Sequence, residues 1–127
     1  MIREVNGRWG LCKYFAKDEY VGRSMHYYGE YNPDETEKIL ELATGRCLDI
    51  GANIGCISQA LVASGFKVEA FEPQPEVYKL LRANVRANTH CVALGSVEGT
   101  AEMPKVHYSE RGNFGGLGCG FRSIYGS

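Results

Sequence analysis

A short apolar segment followed at once by a glycine-containing turn constrains the fold of this chain most. Residues 46–50 (RCLDI) have the composition of a buried strand, and residues 51–55 (GANIG) place two glycines directly after it. Residues 56–64 then repeat apolar side chains at helical spacing. Because open α/β sheets bind ligands outside the carboxyl ends of their strands, the glycine turn is predicted to be a ligand site.

The same alternation of strand and helix continues on both sides of this unit. A helix is predicted to begin at Pro33, with Asn32 as N-cap and Glu35 in the first turn, and to end at Gly45. Further along the chain, strands are predicted at residues 67–71, 90–94 and 99–103, and a helix from Pro75 to about residue 88. This order predicts an α/β fold with a parallel sheet built from right-handed crossovers.

The two ends of the chain differ from this pattern. Residues 9–31 hold half of the aromatic side chains, and residues 2–21 are predicted to form a hairpin with Asn6 and Gly7 as its turn. Ser24 is predicted to cap a short helical turn that reaches Tyr28. Five glycines within residues 112–120 predict a loop.

Charge and cysteine content narrow the class of protein. A net charge of −1 argues against a nucleic-acid partner, and no apolar stretch approaches the length of a membrane span. The five cysteines are odd in number and form no Cys-x-x-Cys pair, so we expect reduced thiols and no metal site. These features predict a soluble cytoplasmic protein without membrane or nucleic-acid partners. The scattered histidines, none of which stands out as a base, are His26, His90 and His107.

Two acidic residues follow the predicted strand ends. Asp49 lies beside the glycine turn, and Glu72 ends the next strand 23 residues later. An acid about 20 residues past such a turn is placed to accept both hydroxyls of a ribose. The second glycine of the dinucleotide fingerprint is replaced by Asn53, and no P-loop is present. A ligand with a ribose and an amino-acid tail but no phosphate fits this pattern, which favours S-adenosylmethionine over NAD, FAD or ATP.

An ordered series of blocks resembles the FkbM-type S-adenosylmethionine-dependent methyltransferases. The blocks are residues 49–55 (DIGANIG), 70–74 (AFEPQ) and 80–85 (LLRANV), with residues 28–31 upstream and residues 93–95, 98–100 and 113–116 downstream. The likeness covers roughly residues 20–118. It implies a Rossmann-like methyltransferase that transfers a methyl group by direct displacement to a hydroxyl oxygen of a sugar or another small molecule.

The resemblance implies eight cofactor-binding positions. Those expected at the methionine end of the cofactor are Asp49, Gly51, Asn53 and Gly55. Those expected around the adenosine are Glu72, on the ribose hydroxyls, and Pro73, Gln74 and Ala93, near the adenine. The resemblance identifies no catalytic base and implies no metal.

Simpler roles remain open for three of these residues. Asp49 could cap the turn that follows it, and Glu72 could be a surface acid before a proline. Asn53 could be present because it tolerates a left-handed backbone conformation.

The resemblance also divides the chain and leaves part of the family fold unaccounted for. It gives a hairpin and cap segment (residues 1–31), a cofactor-binding half of a methyltransferase domain (32–111) and a glycine-rich tail (112–127). The later strands, including a Lys-x-Asp-x-Glu-Gly block, are missing, so a truncated fold is expected. Strand 46–50 would then be an exposed edge, unless the N-terminal segment covers it, and would self-associate or bind a complementing chain. The alternative to an enzyme is a truncated, non-catalytic binding or assembly module.

Overall fold

A computed structural model describes residues 1–102, 106–115 and 120–123. Over these residues the fold is α/β, as predicted, with a three-stranded parallel sheet, two antiparallel strand pairs and four helices. Within the described ranges no helix is both long and apolar enough to cross a membrane. The elements are β1 (Ile2–Gly7), β2 (Gly10–Phe15), α1 (Val21–Tyr28), α2 (Pro33–Leu42), β3 (Arg46–Ile50), α3 (Cys56–Ala63), β4 (Lys67–Phe71), α4 (Pro75–Asn84), β5 (Asn88–His90), β6 (Gly99–Glu102) and β7 (Gly120–Ser123).

The parallel sheet has the order β3-β4-β5. β3 and β4 pair along their full lengths, from Arg46 opposite Lys67 to Ile50 opposite Phe71. β3 is an edge strand, because no other strand of the described chain pairs with its free side. The N-terminal hairpin forms a separate two-stranded sheet and does not cover this edge.

The two faces of the parallel sheet differ in burial. Alternate side chains of a strand point to opposite faces, and Val68 and Ala70 are buried in a core formed with α3 and α4. The opposite face carries Leu48 and Ile50, each 60% exposed. An apolar strip on an unpaired edge strand is therefore open to solvent.

The hairpin turn is displaced from its predicted position. Gly7 pairs with Gly10, so Arg8 and Trp9 form the turn, and the predicted Asn6-Gly7 turn is wrong. Gly10 supplies the positive φ, at 132°. A side chain at Gly7 would overlap the Gly29 carbonyl oxygen, so this glycine serves close packing against the end of α1.

Helix boundaries depart from prediction at three places, one of which is the end of α2 at Leu42 in place of Gly45. α1 begins at Val21, so Ser24 is inside the helix and its hydroxyl donates to the Glu30 carbonyl at 2.5 Å. α4 ends at Asn84, four residues earlier than expected, because Val85 adopts an extended conformation. The Asn84 side-chain amide donates to the carbonyls of Lys13 in β2 and Ile54 in the glycine turn. α2 begins at Pro33 as predicted, although Asn32 adopts a φ of 48° and bonds the Glu35 side chain instead of a backbone amide.

The third parallel strand is shorter than predicted and shifted towards the N-terminus. β5 spans three residues, and the chain leaves the sheet after His90. Cys91, which the predicted strand includes, is exposed; Cys12 is buried, and Cys47 and Cys56 are half-buried. These four thiols are free, and Cys119 lies outside the described residues.

The glycine-rich C-terminal region is not wholly a loop. Residues 120–123 form β7, which pairs antiparallel with β6. Gly112 exchanges backbone hydrogen bonds with the loop after β2, accepting from Glu19 and donating to Lys17. Phe114 is buried at 3% exposure in the hairpin core. Residues 112–115 are thus attached to the folded core. Met103 of the predicted fourth strand lies outside the described residues.

Candidate functional site

The ends of β3 and β4 meet at the glycine turn. The backbone amides of Gly51 and Ala52 both donate to the carbonyl of Phe71, the last residue of β4, at 2.9 Å. This pairing places the turn directly beside Glu72, which follows Phe71. The proximity of turn and acid, predicted from their spacing along the chain, is present in the structure.

Glu72 holds the two loops together. One carboxylate oxygen accepts the Asn53 amide at 3.0 Å, and the other accepts the Gln74 amide at 2.9 Å. Glu72 is 4% exposed. Burial raises its pKa, the two backbone donors oppose that shift, and the nearby charge of Asp49 adds to it. The group is a buried acceptor at the strand ends and not a surface acid.

The two glycines of the turn have different roles. Gly51 has a φ of 75°, and the place where a Cβ would lie is open. Gly55 has a φ of 98°, and a Cβ there would lie 2.5 Å from a methyl of Val85 and 2.9 Å from one of Leu81. Gly51 leaves space that a ligand can occupy, whereas Gly55 allows α3 to pack closely on α4.

Asn53 adopts the left-handed conformation that the sequence allowed, with a φ of 55°. Its side-chain oxygen is buried and has no hydrogen-bond partner among the described residues. A buried acceptor without a partner costs about 1–3 kcal/mol. A ligand N–H at this position would remove that cost.

Asp49 faces α3. Its carboxylate accepts the Ser58 hydroxyl at 2.6 Å, and the Ser58 backbone amide also lies within its reach. Burial raises the pKa of Asp49, and both Ser58 groups oppose the shift. Asp49 therefore bonds the first turn of α3, whereas its simpler alternative was to cap the glycine turn.

The predicted adenine-edge residues are only partly brought together. The Gln74 side chain donates to the Phe114 carbonyl at 2.8 Å and accepts the Tyr108 hydroxyl at 3.0 Å. The Pro73 carbonyl faces the Cys91 thiol at 3.8 Å. Ala93 is exposed beyond the end of β5.

Residues 108–115 form a wall of the site, and only residues 112–115 of this wall belong to the segment that was predicted to be a loop. Tyr108 stacks on Phe15 with ring centroids 4.7 Å apart, and Phe114 meets both rings edge-on. Gly115 packs against the Asn53 amide so closely that a side chain would overlap it. The aromatic residues within this otherwise polar stretch were the available signal.

The surroundings of the two acids bear on the kind of ligand. Among the described side chains, neither Asp49 nor Glu72 has a Lys or Arg within ion-pair distance. His90 bonds Glu69 at 2.7 Å on the open face of the sheet, and His26 bonds Tyr14 at 2.9 Å in the N-terminal cap. The described residues also bring no metal-binding group of three acidic, His or Cys side chains together.

Comparisons with known proteins give no family assignment for this chain. No family model, curated protein or solved structure matches the chain. The site is defined by the turn after β3, the Glu72 carboxylate and the wall of residues 108–115.

Proposed function

We propose that this chain binds S-adenosylmethionine at the turn after β3, as an FkbM-like methyltransferase of the Rossmann-like class. The observation that carries the proposal is the hydrogen bond from the Asn53 amide to the Glu72 carboxylate. This bond joins the glycine turn, whose backbone can approach a ligand, with an acid that can accept sugar hydroxyls. Both lie at the carboxyl ends of two parallel strands, where such folds bind ligands.

The site fits a nucleoside through its unused acceptors. Each oxygen of Glu72 accepts one backbone hydrogen bond from the described residues, and a carboxylate offers about four acceptor positions in all. Two acceptor positions therefore remain for the two hydroxyls of a ribose. The Asn53 side-chain oxygen, which no described residue bonds, and the open space at Gly51 fit the amino-acid end of the cofactor.

The charge of the site favours a cofactor without phosphate. Asp49 and Glu72 are both acidic, and no cation of the described chain is paired with either. A pyrophosphate here would meet negative charge, whereas the sulfonium and ammonium groups of S-adenosylmethionine would be attracted to it.

Binding requires a local rearrangement around Glu72. Its 4% exposure leaves no route for a ribose, and Gln74 holds the Phe114 segment beside it through a hydrogen bond. Movement of residues 108–115 away from Gln74 would open the site. This movement would expose the rings of Tyr108 and Phe114, so it opposes binding until the cofactor replaces those contacts.

In the proposed reaction the bound cofactor supplies an activated methyl group. The chain's own contribution is to hold the donor and the acceptor hydroxyl in line, which accounts for much of the rate in such displacements. Glu72 and the turn at Gly51 fix the nucleoside. No side chain of the described site is assigned as a general base. The acceptor is a hydroxyl of a sugar or another small molecule.

Calorimetric titration with S-adenosylmethionine tests the proposal. The wild-type chain is expected to bind with a Kd below about 1 mM, equivalent to about −4 kcal/mol. Glu72→Gln is expected to weaken binding at least tenfold, because the amide offers fewer acceptors to the ribose. Glu76→Gln is the matched control: Glu76 is exposed on α4, four residues away, and pairs with Lys79. Absence of binding by the folded wild-type chain would overturn the proposal.

A second candidate is a non-catalytic binding or assembly module. The observation in its favour is the free edge of β3, with Leu48 and Ile50 exposed beside it. Such an edge pairs readily with another strand. A folded chain that self-associates but does not bind S-adenosylmethionine would favour this candidate over the enzyme.

A further inference from the structure

A cleft of about 400 Å³ opens beside the N-terminal hairpin, away in sequence from the glycine turn. It is bounded by β1, the end of β2, α1 and the segment before Gly112. Four basic side chains line it: Arg3, Lys17, Arg23 and Arg111.

Among the described residues these four cations lack the acidic partners that other basic residues have. Arg8, Lys13, Lys38, Arg46 and Lys79 each form an ion pair with a glutamate. Within the described part of the chain, none of the four cleft residues has a carboxylate within 4.0 Å. The cleft therefore carries positive charge that no carboxylate of these residues pairs with. Such charge raises the local concentration of anions.

The acidic residues of the cleft do not cancel this charge. Asp18 is 3% exposed, and its carboxylate is directed to backbone amides, including that of Tyr20 at 3.1 Å. Glu19 is exposed at the rim. The lining thus holds four basic side chains and two acidic ones, and the carboxylate of one acid, Asp18, accepts hydrogen bonds from backbone amides.

Aromatic side chains complete the lining. Tyr14 is buried, and its hydroxyl lies 2.9 Å from Nδ1 of His26. Tyr27 lies beside the Arg23 guanidinium, which is 6.0 Å from the ring centroid. Cations combined with aromatic walls suit an anionic group attached to a ring.

We propose that this cleft is a binding site for a small organic anion, a phosphomonoester or carboxylate carried on a ring. The guanidinium and ammonium groups would hold the anionic group, and the exposed Tyr27 would contact the ring. The proposal does not depend on methyl transfer or on the site at the glycine turn.

Nuclear magnetic resonance of the histidine side chains tests the proposal directly. Phenyl phosphate, benzoate and inorganic phosphate are titrated into the full chain at constant pH and ionic strength, with benzyl alcohol as the neutral analogue. We expect saturable shifts of the His26 ring with the ring-bearing anions, at a Kd of about 1 mM or tighter. His90, bonded to Glu69, is the internal control and should not shift.

Charge-removing variants separate a site from general attraction of anions. Arg3→Gln with Arg23→Gln is expected to weaken binding at least tenfold. Lys38→Gln with Lys79→Gln removes the same charge from exposed ion pairs on α2 and α4 and should leave affinity unchanged. Stronger binding of phenyl phosphate than of benzoate identifies the phosphomonoester, and the reverse identifies the carboxylate. Equal weakening in both double variants, or no saturable His26 shift with any anion, would overturn the proposal.

Discussion

The Glu72 carboxylate accepts the Asn53 backbone amide at 3.0 Å. This bond links the loop after β4 to the glycine turn after β3, and the same carboxylate also accepts the Gln74 amide. The turn is therefore held by this buried acid together with the Phe71 carbonyl. Changes to the turn and to its supports should have separable effects on stability and on ligand binding.

The two glycines of the turn should respond differently to alanine. Gly55→Ala is expected to destabilise the fold by about 3 kcal/mol, from a strained backbone and overpacking against Val85 and Leu81. Gly51→Ala is expected to cost only about 1 kcal/mol, because its site is open and only the backbone is strained. Urea unfolding at pH 7 measures both. Equal losses of stability would contradict the separate roles of the two glycines.

Ser58→Ala should destabilise the protein in a pH-dependent way. The Ser58 hydroxyl stabilises ionised Asp49, whose pKa is raised by burial. Its removal raises that pKa further and is expected to cost about 2 kcal/mol at pH 7. As the pH falls through the raised pKa, the native carboxyl becomes protonated, so the difference from wild type should shrink.

The control for this effect is Ser64→Ala at the exposed C-terminal end of the same helix. Urea unfolding of the three proteins at pH 7 and pH 4 provides the comparison. A Ser58→Ala deficit that is constant with pH would show that the hydroxyl does not act through Asp49.

Glu69 should remain ionised at unusually low pH. Its contact with the His90 side chain, together with Asn88 and Arg46, lowers its pKa to about 2. A folded-state pKa below the ordinary 4.5 makes a stabilising contribution that is complete above pH 4.5 and is lost as the pH falls towards 2. The carbon chemical shift of the Glu69 carboxyl should report this titration.

Substitution of the histidine tests the cause of the Glu69 shift. His90→Ala should raise the pKa of Glu69 towards its ordinary value, because the contact that lowers this pKa most is removed. His107→Ala, which alters an exposed histidine in another segment, should leave the titration unchanged. A Glu69 carboxyl that titrates normally in the wild type would show that the network does not form in solution.

The exposed edge of β3 should make the chain self-associate. Leu48 and Ile50 lie on the open face of a strand with a free side, and pairing with another copy would satisfy the backbone and cover the apolar strip. Sedimentation equilibrium of the wild type should show concentration-dependent association. Leu48→Lys should abolish it, whereas Leu42→Lys, at an exposed position on α2, should not. A monomeric wild type would disprove this expectation.

The parallel sheet was predictable because its signals are local. Strands β3 and β4 match their predicted bounds, since each is a five-residue segment with three apolar side chains that ends at turn residues. The same reasoning failed at residues 91–94, where apolar side chains continue beyond the last residue that pairs with β4. Apolar composition indicates a strand but not how far its neighbour extends.

The contacts of the candidate site were less predictable because they join distant segments. The proximity of Glu72 to the turn followed from strand order, and its two backbone hydrogen bonds are consistent with that order. The packing role of Gly55 depends on Val85, thirty residues along the chain. The hydrogen bond from Gln74 to Phe114 links segments forty residues apart, and no periodic pattern in the sequence indicates it.

The ribose-binding role of Glu72 is tested most directly by a cycle of two proteins and two ligands. S-adenosylhomocysteine and its 2′,3′-dideoxy analogue are titrated into the wild type and into Glu72→Gln by calorimetry. If Glu72 holds the ribose hydroxyls, the dideoxy analogue should bind the wild type at least tenfold more weakly, about 1.4 kcal/mol, and this difference should largely disappear in Glu72→Gln. Equal binding of both ligands by the wild type, or the same difference in both proteins, would contradict the proposed site.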